Sequence, residues 1–356
     1  MATIRDVAKK AGVSVATVSR VFNGMPEVSA MARERILAAA ESLNYKPHMA
    51  ARNLRRRREG RGELTYTIGI LQAYGHALAN DLWSAELLAS VANAIRDRGY
   101  GMRLITASPQ GPLPLEIKEV MVDGVIMLGV WPQTSAIAGF MPVVTIDAFE
   151  PAANAYGLVP DYRTGVREMC LRLLAAGVRR IALTCGDAST GNNLAFAHQV
   201  AAGCREAYEA KGLPAEIVFP PMFNGRHLTA YTPAQGYEIG RYWLALPHGQ
   251  MPEAVIGSDS ALLGVYRAVA EAGLSIPNDI SVIGTDGVAL GEYYLPPLTT
   301  VDVNIAALGG RSVHIIADAA ARRVQPHGLE MTPVRLVERA SARLAPALRE
   351  KGDSHV

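Results

Sequence analysis

Three cysteines in 356 residues, Cys170, Cys185 and Cys204, are too few and too widely spaced for a disulfide framework, and no CxxC pair occurs. Three reduced, partly buried thiols are expected. The eight histidines show neither HxxxH nor HExxH spacing, so no metal site is expected. No run of eighteen apolar residues is long enough for a transmembrane helix. The N-terminal stretch MATIRDVAKKAGVS lacks the apolar core of a signal peptide, which points to the cytoplasm and away from a membrane. Catalytic signatures are also missing. There is no P-loop and no GxGxxG, and GDASTG (186–191) has one residue too many before its serine for a nucleophile elbow. Neither an enzyme nor a bound cofactor is expected.

What the chain does have is core material and a divided charge. Its 49% hydrophobic content excludes a disordered protein, and its length suits two or three domains. The net charge of +2 hides an asymmetry. Residues 1–61 hold ten Arg and three Lys against five acids, a net of +8, while residues 62–356 hold 22 basic and 28 acidic residues, a net of −6. A basic head on an acidic body is the electrostatic footprint of a polyanion binder.

The head has the punctuation of three short helices. Thr3 and Asp6 make a T-x-x-D capping pattern ahead of Ile4, Val7, Ala8 and Ala11, which keep helical spacing. Gly12-Val13 breaks that helix, and Ser14 is a natural N-cap for VATVSRVFN, which closes at Asn23-Gly24. Val18, Val21 and Phe22 face inward; Val15, Ala16, Ser19 and Arg20 face outward. Ser29 caps a third helix with Ile36, Leu37, Ala40 and Leu43 on its inner side. Two short helices around a glycine turn, braced by a third, are helix-turn-helix geometry.

TIRDVAKKAGVSVATVSRVFNG followed by VSAMARERILAAAESLNYKP closely resembles the DNA-binding head of LacI-type repressors, almost continuously over residues 3–54, and residues 66–341 resemble the body of that family more loosely. The resemblance implies a sequence-specific transcription regulator, most simply a repressor, whose second helix lies in the major groove of operator DNA. By position, Val15, Ala16 and Arg20 would read bases, with Arg20 donating two hydrogen bonds to a guanine. Thr3, Ser14, Thr17, Ser19, Asn23, Ser29 and Tyr45 would hold phosphates and set register; Thr3, Ser14 and Ser29 are equally readable as helix caps. The resemblance makes NYKPHMAARNLRRRREGRG (44–62) a hinge helix that folds on DNA. Leu54 would wedge between central bases, His48 and Ala51 would line the minor groove, and Arg55 and the arginines after it would extend the hinge toward phosphates.

The body is α/β. YTIGILQA, RLITAS, DGVIMLG and PVVTID are short β-branched runs separated by helical stretches, such as residues 83–98 with Leu87, Leu88, Val91 and Ile95 in register. The alternation restarts at RRIALTCG and runs through AEIVFP, EAVIGSD and ISVIGTD; LTTVDV, a helix over 305–322 and VRLVERAS complete it. Two doubly wound parallel-sheet subdomains with a cleft between them are expected. The full architecture is then a helix-turn-helix head (1–46), a hinge helix and basic linker (47–63), and a periplasmic-binding-protein-like body. Its N-terminal subdomain is expected over 64–160 plus 289–322, its C-terminal subdomain over 161–288 plus 323–341, and a tail over 342–356. The crossings between subdomains, near Asp161, Val288 and Arg323, follow from the resemblance and would form a hinge.

Asp147, Asp259 and Asp286 stand at strand carboxyl ends, where ligands of open α/β sheets bind, although such aspartates also cap helices. The resemblance implies a small effector in the cleft, often a sugar or sugar derivative and sometimes a purine, met by Trp83, Ser84, Asp147, Tyr231, Ser258 and Asp286. Two departures stand out: Val200 replaces an arginine of relatives, and Ser258 replaces an asparagine of the lactose type. His198, Gln199 or Asn193 could supply the missing donors. Trp131 and Trp243 read as packing residues. The tail lacks leucine heptads, so a homodimer on a pseudopalindromic operator is expected. The rivals are a solute-binding protein, which has no use for residues 3–54, and a sugar-handling enzyme, which needs an acid–base pair or phosphate loop.

Overall fold

A computed structural model describes residues 3–22, 28–43, 45, 64–73, 81–108, 111–128, 132–148, 154–186, 195–223, 226–227, 230–247 and 249–346. They fall into two compact units, residues 1–65 and 66–356. Asn23, His48, Ala51, Leu54, Arg55, Trp131 and Asn193 lie outside the described residues.

The first unit contains α1 (Ile4–Ala11), α2 (Val15–Phe22) and α3 (Ala30–Ser42). Its start is a complete capping box: the Thr3 amide donates to Asp6 at 2.7 Å and the Asp6 amide donates back to the Thr3 hydroxyl at 3.4 Å. The Thr3 hydroxyl and amide, both donating to the Asp6 carboxylate, hold it below its ordinary range. Gly12 ends α1 with φ of 65°, a left-handed turn that glycine adopts without strain. Val7, Ala8, Ala11, Val18, Val21, Ile36, Ala39 and Ala40 form the core, with Phe22, Leu43 and Tyr45 packed on it. Leu37 is not part of it. It is 49% exposed, because one residue past Ile36 is a 100° turn away from the Ile36–Ala40 face.

In the second unit, β1 (Thr67–Ala73), α4 (Leu82–Asp97), β2 (Gly101–Ala107), α5 (Leu115–Lys118), β3 (Gly124–Leu128), α6 (Thr134–Ala138), β4 (Val143–Ile146) and β5 (Tyr156–Pro160) come first. Then follow α7 (Tyr162–Ala175), β6 (Arg180–Leu183), α8 (Ala195–Ala210), β7 (Glu216–Val218), the small pair β8 (Met222–Phe223) and β9 (Arg226–His227), and α9 (Pro233–Leu244). Next come β10 (Ala254–Gly257), α10 (Asp259–Glu271), β11 (Ser281–Gly284), β12 (Thr299–Asp302), α11 (Ile305–Arg322), β13 (Gly328–Thr332) and β14 (Arg335–Val337). One six-stranded parallel sheet has the order β13-β5-β4-β3-β1-β2; a second has β14-β12-β11-β10-β6-β7, parallel except at β14. β3, β4, β10 and β11 read as near-continuous hydrophobic runs because helices cover both faces.

Two expected boundaries are corrected. β12 pairs with β11 in the second sheet, so the passage expected near Val288 occurs after Asp302, where Asn304 turns the chain in a left-handed conformation and caps α11. β13 pairs with β5 in the first sheet, so the passage expected near Arg323 occurs between Thr332 and Arg335. In the run 323–332 only Leu329 and Met331 alternate with polar residues, and both are exposed; pairing with the edge of β5 makes it a strand. The crossing segments are tied together. The Asp161 amide donates to the Thr332 carbonyl at 2.9 Å, and Arg335 pairs with Asp302 at 2.8 Å. Gln199 fastens the first crossing, donating to the Pro160 carbonyl at 3.0 Å and accepting from the Arg163 amide at 3.3 Å. Cys170, Cys185 and Cys204 are free and buried, and Trp243 is packed in the second core. Among the described residues no helix is long and apolar enough to cross a membrane, and no His/Cys/Asp/Glu cluster could hold a metal.

Candidate functional site

On the first unit the candidate site is the outer face of α2. Ser14 caps it, accepting from the Thr17 amide at 3.1 Å and lying 2.8 Å from the Thr17 hydroxyl. Val18 and Val21 bury the opposite face, which leaves Val15, Ala16 and Arg20 exposed together and Ser19 and Thr17 half-exposed. A Val- and Thr-rich helix of eight residues has weak intrinsic propensity, so packing and this cap stabilise it. Ser29 caps α3 by accepting from the Ala32 amide at 3.4 Å. The Tyr45 ring lies 5.8 Å from that of Phe22, and burial raises its hydroxyl pKa. Caps at Thr3, Ser14 and Ser29 account for those side chains structurally, and each leaves a hydroxyl at an exposed helix start.

In the second unit, a cleft of about 630 Å³, counted out to its open mouth, lies among the carboxyl ends of both sheets. Trp83, Ser84, Asp147, Tyr231, Ser258 and Asp286 all line it, and so do Asp81, Leu128, Ile146, Tyr162 and Phe196. His198 and Val200 do not. On α8 their positions fall outward and inward: His198 is exposed, while Val200 is wholly buried in the core. Gln199 is occupied at the crossing described above. The last four cleft residues and Asp81 escape sequence reasoning because Leu128, Ile146, Tyr162 and Phe196 look like core residues. Only the α/β rule that ligands meet strand ends could have singled out Leu128 and Ile146.

The three strand-end aspartates have different tasks. Asp259 is a structural knot. Its Oδ1 accepts from the Thr285 amide (2.9 Å), the Asp286 amide (3.2 Å) and the Thr300 hydroxyl (3.0 Å); its Oδ2 accepts from the Gly287 and Val288 amides, both at 3.0 Å. Burial pushes it up to about 6, and this web of donors keeps it ionised at neutral pH. The knot needs a glycine at 284, where a Cβ would lie 1.9 Å from Asp259 Oδ1. Asp286 is buried beside it and accepts from the Asp259 amide at 2.8 Å. Burial and the negative charges of Asp259 and Asp81 hold it well above the ordinary range. Asp147 follows β4 with φ of 62°, a left-handed backbone that is uncommon for residues with a side chain and more accessible to Asn and Asp than to most. Burial pushes it up to about 7, although it accepts from the Phe196 amide.

Two sets of bonds span the cleft between the halves. The Leu82 amide donates to the Ser260 hydroxyl at 2.8 Å, and that hydroxyl donates to Asp81 at 3.4 Å. The Ala289 amide donates to Glu86 at 2.9 Å. Ser84 donates to the other oxygen of Asp81. The arrangement can bind and enclose a small polar molecule. It holds no nucleophile–base pair among the described residues.

Residues 3–48 match the family of bacterial regulatory proteins called lacI, and residues 171–342 match periplasmic binding protein-like domains. The chain is 31% identical to the HTH-type transcriptional regulator MalR of Streptomyces coelicolor, over 97% of this chain and 98% of that one. It is also 31% identical to the ribose operon repressor of Escherichia coli, over 96% of this chain and 100% of that one. Among solved structures it resembles the lac repressor dimer bound to operator and the anti-inducer ONPF, with a TM-score of 0.73 at 25% identity, covering 96% of this chain and 98% of that chain.

Proposed function

The chain belongs to the lacI family of bacterial regulatory proteins, and on that footing we propose how its residues divide the work. It is a transcription regulator with a helix-turn-helix DNA-binding head and a periplasmic-like effector-binding body. The α2 face enters the major groove of a pseudopalindromic operator. Arg20 donates to guanine O6 and N7, while Val15 and Ala16 meet thymine methyls or exclude bulk. Thr3, Ser14, Thr17, Ser19, Asn23, Ser29 and Tyr45 position the head on phosphates, where the free amides at helix starts also attract anions. Leu54 wedges between central bases with His48 and Ala51 beside it, and Arg55 with its neighbours reaches phosphates. Two copies act together in the cytoplasm, since a two-fold symmetric operator needs two heads.

The observation that carries this reading is the α2 face. It presents two small side chains and one arginine outward together, opposite the buried Val18 and Val21, which fits a groove floor. Control comes from the cleft. An effector there favours one arrangement of the two halves and thereby changes how the heads meet DNA. In vitro selection of DNA by the full chain should return a two-fold symmetric site. The same selection with Arg20→Ala should lose one guanine from each half-site; an unchanged site would remove Arg20 from base reading.

A further inference from the structure

The cleft offers a ligand many acceptors and few donors. Among the described residues its lining holds three carboxylates, Asp81, Asp147 and Asp286, and no Lys, Arg or His. The lining hydroxyls nearest these acids are already engaged: Ser84 donates to Asp81, and Ser258 donates to Asp286. A neutral polyol presents hydroxyls that both donate and accept, and it is best met by a mixture of partners. An ammonium only donates, and this lining mainly accepts.

Two buried atoms are left waiting. Asp147 Oδ1 is sealed from solvent and has no hydrogen-bond partner, and neither has the Trp83 Nε1 donor. A buried acceptor without a partner forfeits its hydration, and a ligand donor restores it. Beside Asp147 stands an aromatic wall: the Tyr162 and Phe196 rings are 5.2 Å apart, and those of Phe196 and Tyr231 are 6.2 Å apart. Ring faces attract cations, more strongly once both are out of water. Tyr162 links the groups, because Asp147 and Asp286 both act on its hydroxyl, which burial and these charges push far up. Asp286, buried and repelled by the charges of Asp259 and Asp81, is relieved by a bound cation.

Resting on the reading of this cleft as the effector site, we propose that its ligand is a cation: a hydroxylated primary amine of amino-sugar size. Its ammonium lies between Asp147 and Asp286 against the aromatic wall, and one of its oxygens accepts from Trp83 Nε1.

Calorimetry on the full-length protein with matched pairs tests this: D-glucosamine against D-glucose, and D-galactosamine against D-galactose, with the N-acetyl sugars as uncharged controls. At least one amine should bind about tenfold tighter than its hydroxyl partner, the scale of one charge-assisted hydrogen bond. Asp147→Asn should erase that preference; asparagine tolerates the left-handed backbone, and the thermal midpoint of the free variant confirms that it folds. Neutral members binding as tightly as the amines, no binding by any amine, or a preference that survives Asp147→Asn would each overturn the cationic ligand. An amine that binds with the expected selectivity yet leaves operator affinity unchanged would instead break the effector reading and leave the cation site standing.

Discussion

The two units place their functional side chains in opposite settings. On the head, Val15, Ala16 and Arg20 are exposed on a helix held from behind by Val18 and Val21. In the body, Ser258 and Asp286 are buried and Asp147 is pushed up to about 7. A groove reader must carry its groups outward to reach base edges. A ligand sensor must withdraw them from water, so that the ligand supplies what water gave up. The cost of function therefore sits in the body, and so does the sensitivity to pH.

The sharpest way to break this comparison is to remove the support under the buried site. Asp259→Ala strands the backbone amides of Thr285, Asp286 and Val288 and a hydroxyl in the interior, leaving the Gly287 amide only Thr300, and should lower stability by about 3–5 kcal/mol. Chemical denaturation of the full chain should show this as a loss confined to the body transition. A loss under about 1 kcal/mol would mean that the knot is dispensable.

Asp147→Asn acts in the other direction. Because the folded carboxyl titrates near 7, above its unfolded value, its favourable contribution is complete below about pH 4 and is lost as pH rises through 7. The free protein should therefore lose stability across that window. The variant should lack that part of the slope and exceed the parent by up to about 3 kcal/mol at pH 8, with no gain at pH 4. Parallel pH profiles of the thermal midpoint would contradict it.

On the exposed side the effects are smaller. Arg20→Ala should cost about 1–3 kcal/mol of operator affinity and relax one base pair per half-site, with the stability of the head unchanged. Ser14→Ala should destabilise the head by about 1 kcal/mol through the lost cap. If Ser14 also holds phosphate, operator affinity should fall further than that unfolding explains, as judged by anisotropy well below the melting point of the head.

The head was legible almost residue by residue, since its signals are local. Thr3-Asp6, Gly12, Ser14 and Ser29 punctuate helices within four residues of where they act; only Leu37 misled, one position off the buried face. The cleft was half legible. Asp147 and Asp286 were visible as strand ends, and Trp83, Ser84, Tyr231 and Ser258 through resemblance. Tyr162 and Phe196 were not, because a buried aromatic residue reads as core whether or not a ligand rests on it. The topology of residues 289–341 was the least legible part. Whether β12 and β13 join one sheet or the other depends on which distant edge is open to pair with them, and nothing within either strand records that.

The central claim is that a basic head binds DNA on behalf of an acidic body, and the salt dependence of operator binding by the full chain tests it most directly. Phosphate neutralisation releases counterions, so affinity should fall about a thousandfold or more between about 50 and 200 mM salt, with specific DNA preferred throughout. Binding that ignores salt, or no preference for the selected operator at any salt, would contradict the account.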